Sequence, residues 1–525
     1  GPHKVSFPMA SRGYDFGELP FRVELPAVDA AQPMTLTLAA GERRARVSGR
    51  FVPEKQWRLF AGFKIHNDIG YTDIQPHIQE LDNRNTDGVL DLVSRFPFYK
   101  FNFETSWLAE NYLQSRRPAQ ARRLLDFAAR GRVGLNVLYL NLMTGVCTGE
   151  ELYRALYFSY GLHKKHGVPF QFACLTDAPS HTWFVPTMLA GVGVKSFAMG
   201  SNQTRAPLLQ HSRLNEDSPF WWEGPDGARV IAWYARSYLQ FQRLLANRGA
   251  GEAASIERLE DTIPQFLARY RRPDYPTDAV LVYGLYTDNA EIGHGEARIV
   301  EEWNRAYEFP KIVPALDSDY YFYTKRHFGD RLPVRRGDGG AYWEDGVGST
   351  ARETALNRDT QRLLPVAEMA GALAAALDSR LRYPTEEFRE AWKNLLFYDE
   401  HTWGANSSIG QPDKEFVTRQ WEVKRSFAWR AHWAATDLLT RSLNRLVQHI
   451  GRDGRMLYVF NPDVWARTDS IQVELNRGQY LVDWATGREM EMDTIAERDG
   501  YRVARLLARD VPALGYRTYS VRKRP

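Results

Sequence analysis

Cysteine is nearly absent from this chain: Cys147 and Cys174 are the only two among 525 residues. Two cysteines cannot build a disulfide framework, and neither has a second cysteine or a histidine at zinc-finger spacing. We expect both to be small buried apolar side chains. The sequence thus excludes small disulfide-stabilised and zinc-finger proteins.

Long hydrophobic runs and blocks of one charge are also missing. No stretch approaches the ~20 apolar residues of a membrane-spanning helix. The 68 basic and 64 acidic side chains give a net charge of +4, and they are mixed along the chain, so no basic block is present to neutralise a phosphate backbone. We expect neither a membrane nor nucleic acid as partner, and a homo-oligomer is left open.

The N-terminus carries no visible signal peptide, and its first residues, Gly-Pro-His at 1–3, resemble the remnant of a protease cleavage. A native leader that has been removed would leave the same start. We expect a soluble protein, and periplasmic, secreted and cytoplasmic locations all remain open.

Aromatic residues, in contrast, are plentiful. The chain has 15 Trp and 26 Tyr, more than a core needs, and such amphipathic rings suit the apolar faces and polar rims of sugars. At this length two to four domains are expected, because one hydrophobic core rarely organises so many residues.

The pattern of apolar residues changes along the chain. Short alternating segments predict strands at both ends, whereas apolar runs followed by amphipathic stretches in the middle predict parallel strands with crossover helices, in a barrel or an open sheet. Three helical patterns follow at roughly 350–380, 385–399 and 412–450. The predicted domains are a β element (1–56), an α/β domain (57–314), a helical domain (315–450) and a β-sandwich-like domain that is cut short (451–525).

Acidic residues follow three of the predicted strands. His66 and Asp68 lie two apart, so an extended backbone points both side chains to one face, where they can share a cation. Asp177 and Asp288 follow two later strands, and a barrel brings all such strand ends to one rim. Each has an ordinary alternative: His66 and Asp68 can be solvated or satisfied in a core, and Asp177 can cap the next helix.

A further histidine stands at a predicted helix end. His401 closes the apolar stretch at 395–399 just before Gly404. Read alone, it is a favourable cation at a helix C-terminus.

These four segments, in this order, resemble glycoside hydrolase family 38, the α-mannosidase family. His-Asn-Asp-Ile-Gly-Tyr at 66–71 is similar to the family's first metal motif. Asp-Ala-Pro-Ser-His at 177–181 is similar to its nucleophile motif, and Glu-His-Thr-Trp-Gly at 400–404 falls where its last metal ligand lies. The similarity extends over about residues 57–525 and suggests a divergent member of bacterial type.

The resemblance implies a fold and a mechanism. The fold is a distorted (β/α)7 barrel, a three-helix bundle and a C-terminal β-sandwich-like domain. Zn²⁺, or another divalent cation, is held by His66, Asp68, Asp177 and His401. Asp177 is also the nucleophile of a retaining glycoside hydrolase that acts on an oligo- or polysaccharide, and Asp288, placed mainly by position, is its acid/base.

The pocket has several candidate residues. Tyr71, Trp107, Trp343 and Trp403 are candidates for a sugar platform, and Glu104, Arg205, Tyr238 and Asp345 for hydroxyl partners. Two positions depart from the family: Tyr71 replaces a tryptophan, and Thr402 replaces an aspartate that contacts sugar hydroxyls in many members. The preferred sugar, linkage and endo or exo action therefore stay open.

Three other functions are compatible with this scaffold. A polysaccharide lyase would use the altered pocket for elimination. A metal-dependent carbohydrate deacetylase normally takes a His-x-x-x-His pair, and no such pair follows a strand here. A catalytically silent carbohydrate-binding protein is disfavoured because a binder has no use for three acids at strand ends.

Overall fold

The structure is a computed structural model that describes Leu25 and residues 28–178, 180–202, 213–245, 255–341, 343–451 and 454–524. Its N-terminal part is an antiparallel hairpin of β1 (Gln32–Ala40) and β2 (Arg43–Phe51), within the predicted β element.

Mostly parallel strands form the middle of the chain, as the alternating pattern predicts. They are β3 (Arg58–Gly62), β4 (Phe101–Phe103), β5 (Val133–Leu135), β6 (Ala173–Asp177), β7 (Ser180–His181), β8 (Ser196–Ser201), β9 (Phe220–Glu223), β10 (Arg229–Ala235), β11 (Ala279–Tyr283), β12 (Lys311–Pro314), β13 (Val334–Arg336) and β14 (Gly340–Ala341). They build a five-stranded sheet in the order β13-β9-β10-β8-β6, a three-stranded sheet β11-β3-β12, and the pairs β4-β5 and β14-β7. Since the described strands form separate sheets, a closed seven-stranded barrel stays a prediction.

Helices connect these strands. They are α1 (Gln75–Arg95), α2 (Ser106–Ser115), α3 (Pro118–Ala129), α4 (Gly149–Arg154), α5 (Tyr157–His166), α6 (Phe184–Gly191), α7 (Leu214–Asp217), α8 (Gln240–Leu245), α9 (Ile256–Leu267), α10 (Glu296–Ala306) and α11 (Asp317–Phe328), with 3₁₀ turns at Gly329–Arg331 and Trp343–Thr350. Single hydrogen bonds link neighbouring sheets: Asn102 N donates to Phe63 O (2.8 Å) and Val137 N to Phe172 O (3.1 Å). The strand ends after β3, β4, β5 and β6 therefore lie side by side.

The parallel strands are buried on both faces. In β10, Trp233 packs into one apolar cluster and its neighbour Tyr234 into another, because successive side chains of a strand point to opposite sides. Both residues are at most 1% exposed. Such two-sided burial explains the nearly continuous apolar runs in the sequence.

Two details differ from the sequence prediction. The apolar run Val133 to Leu140 is one of those that predict parallel strands, but it gives only the short strand β5. Beyond β5 the Asn136 side chain bridges the neighbouring segments, with Nδ2 donating to Glu104 O (2.6 Å) and Cys174 O (2.7 Å). The structure also contains β9, which pairs antiparallel with β10 and was not predicted.

Three long helices follow at the predicted places. They are α12 (Ala351–Leu377), α13 (Thr385–Asp399) and α14 (Glu415–Ile450). Leu364 of α12, Leu395 of α13 and Leu438 of α14 share one buried apolar cluster. The three helices therefore pack against one another around a common core.

The C-terminal part consists of two antiparallel three-stranded sheets. They contain β15 (Met456–Phe460), β16 (Arg467–Asn476), β17 (Gln479–Asp483), β18 (Asp493–Arg498), β19 (Tyr501–Val511) and β20 (Tyr516–Lys523), in the orders β15-β20-β17 and β16-β19-β18. Leu481 and Leu506, one from each sheet, lie in the same buried cluster. Among the helices within the described ranges, none is both long and apolar enough to cross a membrane.

Candidate metal centre and active site

Two histidines from distant parts of the chain face each other. His66 follows β3, and His401 stands two residues after the end of α13. Their Nε2 atoms are 3.3 Å apart, and each residue is 2% exposed. The candidate metal centre thus joins the parallel-sheet region to the helical region.

A carboxylate behind each ring sets its orientation. His66 Nδ1 lies 2.8 Å from Glu104 Oε2, and His401 Nδ1 lies 2.5 Å from Glu400 Oε1. When each Nδ1–H donates to its carboxylate, the lone pair of each Nε2 points into the space between the rings. This is the usual way in which proteins prepare imidazoles for a metal.

Asp68 is the third buried side chain of the candidate site, beside His66 and His401. Its Oδ1 lies 3.2 Å from His401 Nε2 and 3.5 Å from His66 Nε2, and its buried Oδ2 accepts no hydrogen bond from the residues that the structure describes. Asn289 fixes the backbone here, because its Oδ1 accepts from Asp68 N (2.9 Å) and its Nδ2 donates to Gly70 O (2.9 Å).

Asp177, the last residue of β6, borders the same space. Its Oδ2 is 3.7 Å from His401 Nε2, and its Oδ1 accepts a hydrogen bond from Asn202 Nδ2 (2.8 Å). Its backbone has φ of 68°, a left-handed conformation that is strained for a residue other than glycine. The turn of the chain after β6 therefore holds this carboxylate in place at a cost in backbone energy.

Asp288 follows β11 and reaches the centre through Tyr238. The Tyr238 hydroxyl donates to Asp288 Oδ1 (2.8 Å), and the Tyr238 ring lies 4.6 Å from that of His66, between centroids. Burial, then the carboxylates of Asp177 and Asp288, raise the pKa of Tyr238 far above its usual range. The phenol is therefore a permanent hydrogen-bond donor here.

His66, His401 and Asp68 shift one another's pKa strongly. Burial lowers the pKa of both histidines, but carboxylates reverse this: Glu104 and Asp68 raise that of His66 well above its usual value, and Glu400 and Asp68 raise that of His401 to about 10. Burial raises the pKa of Asp68, yet the two imidazoles hold it far below its usual range. Protons therefore compete with a cation for the ring nitrogens of this centre.

The donor set fits a divalent cation. His66, Asp68 and His401 each offer one ligand atom within 4.8 Å of the others, and all three are buried. Two imidazoles and two carboxylates are nitrogen and oxygen ligands suited to zinc. The buried Oδ2 of Asp68, which accepts no hydrogen bond from the described residues, is the orphaned polar atom that a cation would satisfy.

Comparison with known proteins decides the family. Residues 56–338 match the glycosyl hydrolases family 38 N-terminal domain, which is more than half of the chain, and residues 341–437 match the alpha mannosidase middle domain. The chain belongs to glycosyl hydrolase family 38. The resemblance drawn from the sequence is thereby confirmed.

Individual relatives of this family 38 chain are distant. Alpha-mannosidase 2C1 of Homo sapiens is 21% identical over 411 residues, which are 75% of this chain and 36% of that protein. Among solved structures, an alpha-mannosidase from Enterococcus faecalis V583 is similar with a TM-score of 0.68 and 18% identity, over 89% of this chain and 56% of the other. A second structure, a family 38 protein from Enterococcus faecalis, is similar with a TM-score of 0.62 and 16% identity, over 90% of this chain and 54% of the other. The chain spans about a third of the curated relative and just over half of each solved chain.

Three candidate pocket aromatics lie near the ligands of this family 38 site. The Trp343 indole donates to His401 O (3.3 Å). The Trp403 ring lies 4.1 Å from Lys424 Nζ, and its Nε1 donates to Thr350 Oγ1 (3.1 Å). Tyr71 has φ of 65° and its N donates to Gln420 Oε1 (2.6 Å). All three are partly exposed, as a sugar platform requires.

Two pocket predictions need correction. Trp107 is 4% exposed and packs edge-on against Phe397, 5.9 Å between centroids, because it belongs to the apolar core. Glu104 is 1% exposed and uses Oε2 to accept from His66, Asn67 N (2.9 Å) and Asn141 Nδ2 (2.9 Å). It supports a ligand rather than facing a sugar. Asp345 is an exposed residue of the 3₁₀ turn, and Arg205 lies outside the described residues.

Some functional contacts were not predicted. The sequence patterns indicated no role for Glu400, which adjoins His401, or for Asn289 and Asn202. Thr402 proves to be internal: at 5% exposure its Oγ1 lies 3.3 Å from Asp68 Oδ1 and 3.0 Å from Glu400 Oε1. The position of Glu400 directly before His401 was the one signal in the sequence that could have indicated it.

Proposed function

We propose that the chain is a retaining, metal-dependent glycoside hydrolase that cleaves α-linked glycosides. The observation that carries the proposal is the convergence of His66, His401, Asp68 and Asp177 on one buried space, with Asp288 linked to it through Tyr238. The distant relatives are named alpha-mannosidases, so α-mannosides are the first substrates to test.

Zinc is the proposed cofactor, held by His66 Nε2, His401 Nε2, Asp68 and Asp177. When bound, it would supply a Lewis acid that orients sugar hydroxyls and stabilises the charge of an oxocarbenium-like transition state. Glu104 and Glu400 would keep both imidazoles turned toward it.

Asp177 is the proposed nucleophile. Asn202 holds Oδ1 by a hydrogen bond, and the left-handed backbone aims the carboxylate at the shared space. Burial raises the pKa of Asp177 while the two imidazoles counteract it. A desolvated carboxylate in this position is suited to attack an anomeric carbon and form a glycosyl ester.

Asp288 is the proposed acid/base. Its Oδ1 accepts from the hydroxyls of Tyr238 (2.8 Å) and Thr287 (3.2 Å). Oδ2 accepts no hydrogen bond from any residue that the structure describes, and would carry the proton that passes to the leaving oxygen. The same atom would then take a proton from the water that hydrolyses the ester.

The chain divides, in this proposal, into the four predicted units. Residues 57–314 form the catalytic α/β domain, and residues 315–450 supply His401. Residues 1–56 and 451–525 are β units that contribute no proposed catalytic group.

The first product formed from aryl α-glycosides tests this function. We would incubate the zinc-loaded chain with a panel that begins with the α-mannoside, and follow the sugar product by proton NMR. Initial release of the α anomer supports the proposal, and initial release of the β anomer overturns retention. Acetate release from acetylated sugars would indicate a deacetylase, and an ultraviolet-absorbing unsaturated product a lyase.

A further inference from the structure

A second group of metal-ligand side chains lies in the interior, separate from the His66 centre. Cys147 stands in the loop before α4, Glu151 lies in the first turn of α4, and Asp399 ends α13. One ligand atom from each lies within 4.8 Å of the others. Glu151 and Asp399 are at most 1% exposed. The fold thus brings a thiol and two carboxylates together from segments about 250 positions apart.

Amide donors surround the two carboxylates but leave one oxygen unused. Gln361 Nε2 donates to Glu151 Oε2 (2.9 Å) and Asp399 Oδ2 (3.1 Å). Asn357 Nδ2 donates to both Asp399 oxygens at 2.9 and 3.0 Å. Glu151 Oε1 is buried and accepts no hydrogen bond from an amide, hydroxyl or cationic group of the described residues. An orphaned carboxylate oxygen of this kind carries the full cost of desolvation.

Within the described part of the chain, no lysine or arginine forms an ion pair with Glu151 or Asp399. Arg358 donates instead to Val146 O (2.8 Å), and Lys424 Nζ donates to Glu400 O (2.7 Å). Buried carboxylates need a bound cation or a shared proton as a partner.

We propose that Cys147 Sγ, Glu151 Oε1 and Asp399 bind a second divalent cation of the zinc type. Zinc binds thiolate sulfur as well as carboxylate oxygen, so these three side chains are ligand types that suit it. On binding, the Cys147 thiol loses its proton to solvent, and a sulfur–metal bond forms in its place. The cation would join the loop at 143–148 to the end of α13, two residues before His401.

Cobalt substitution tests the proposal on the full chain. The His66 centre has no sulfur ligand, so Co²⁺ bound there gives no thiolate-to-metal charge-transfer band in the near ultraviolet. We expect this band to appear during titration with Co²⁺, and metal analysis to find two equivalents per chain. A single equivalent without the band would overturn the proposal and indicate a shared proton between Glu151 and Asp399.

Variants assign the band to its ligand. Cys147→Ser should lose the band and one equivalent of metal, whereas Cys174→Ser, which changes the other cysteine, should keep both. A Cys147→Ser protein that still binds two equivalents would contradict thiolate ligation. Because the cobalt band is read on the wild-type chain first, the test does not depend on the folding of either variant, and it is independent of hydrolytic activity.

Discussion

His66 and His401, 335 positions apart in sequence, place their Nε2 atoms 3.3 Å from each other. Each Nδ1 is taken by a carboxylate, so the two Nε2 atoms are the ring nitrogens that face each other and Asp68 Oδ1. The pair therefore links the end of a strand to the end of a helix through one shared ligand space. A substitution that destabilises α13 should therefore also weaken cation binding between His66 and His401.

Glu400→Gln should weaken zinc binding at this centre. The substitution removes the charge that orients His401, and changes to such supporting carboxylates cost about 10- to 100-fold in metal affinity. The zinc concentration that gives half-maximal activity measures the effect. Glu386→Gln, an exposed acid at the start of α13, is the matched control and should behave like wild type. Equal zinc requirements in both variants would contradict the role of Glu400.

Zinc affinity should rise with pH. In the metal-free chain nearby carboxylates raise the pKa of His401 to about 10 and that of His66 well above its usual value, so protons compete with zinc for the ring nitrogens at neutral pH. Zinc must displace these protons, which costs less as pH rises toward 10. The affinity should increase about tenfold per pH unit for each proton displaced. Competition with a chelator at pH 6, 7 and 8 measures this, and a flat profile would show that the rings are neutral before binding.

Asp177→Asn should abolish turnover while retaining a side chain of the same shape. Loss of a nucleophile costs several orders of magnitude in rate, on the order of 10³-fold or more. A slow-reacting activated fluoroglycoside should add one glycosyl group to wild type, located on Asp177 by peptide mass, and none to the variant. Asp126→Asn, an exposed residue of α3, should be labelled like wild type. An adduct on another residue would disprove the assignment.

Tyr238→Phe should lower kcat without loss of zinc. The phenylalanine keeps the ring beside His66 but removes the hydroxyl that donates to Asp288 Oδ1. A hydrogen bond to a charged group contributes about 1.5–3 kcal/mol, or roughly 10- to 100-fold in rate. Steady-state kinetics with metal analysis measures both quantities. Tyr160→Phe on exposed α5 serves as control, and an unchanged kcat in Tyr238→Phe would remove Tyr238 from the mechanism.

The sequence was sufficient where local pattern determines structure. Helical periodicity placed α12, α13 and α14 to within a few residues, because their apolar faces pack on one another. The strand-end acids at 68, 177 and 288 could be found because apolar runs precede them. His401 was different: only the order of the family motifs distinguished it from a histidine at a helix end.

Local sequence patterns could not predict the contacts between segments that are distant in the chain. Glu104 was predicted to contact a sugar hydroxyl, yet it is buried under His66 because β4 lies beside the end of β3. Trp107 looks like a sugar platform, but α2 turns it into the core against Phe397. Beyond the short strand β5, the Asn136 side chain bridges the neighbouring segments. Such features depend on which segments meet, which the sequence does not display.

Hydrolysis of aryl α-glycosides by the zinc-loaded and the chelator-treated chain tests the central claim most directly. We expect aryl release from at least one α-glycoside by the zinc-loaded chain, its loss after chelation, and its return when zinc is added back. Failure of every glycoside to react while zinc is confirmed at the His66 centre, or full activity after complete removal of metal, would contradict the account.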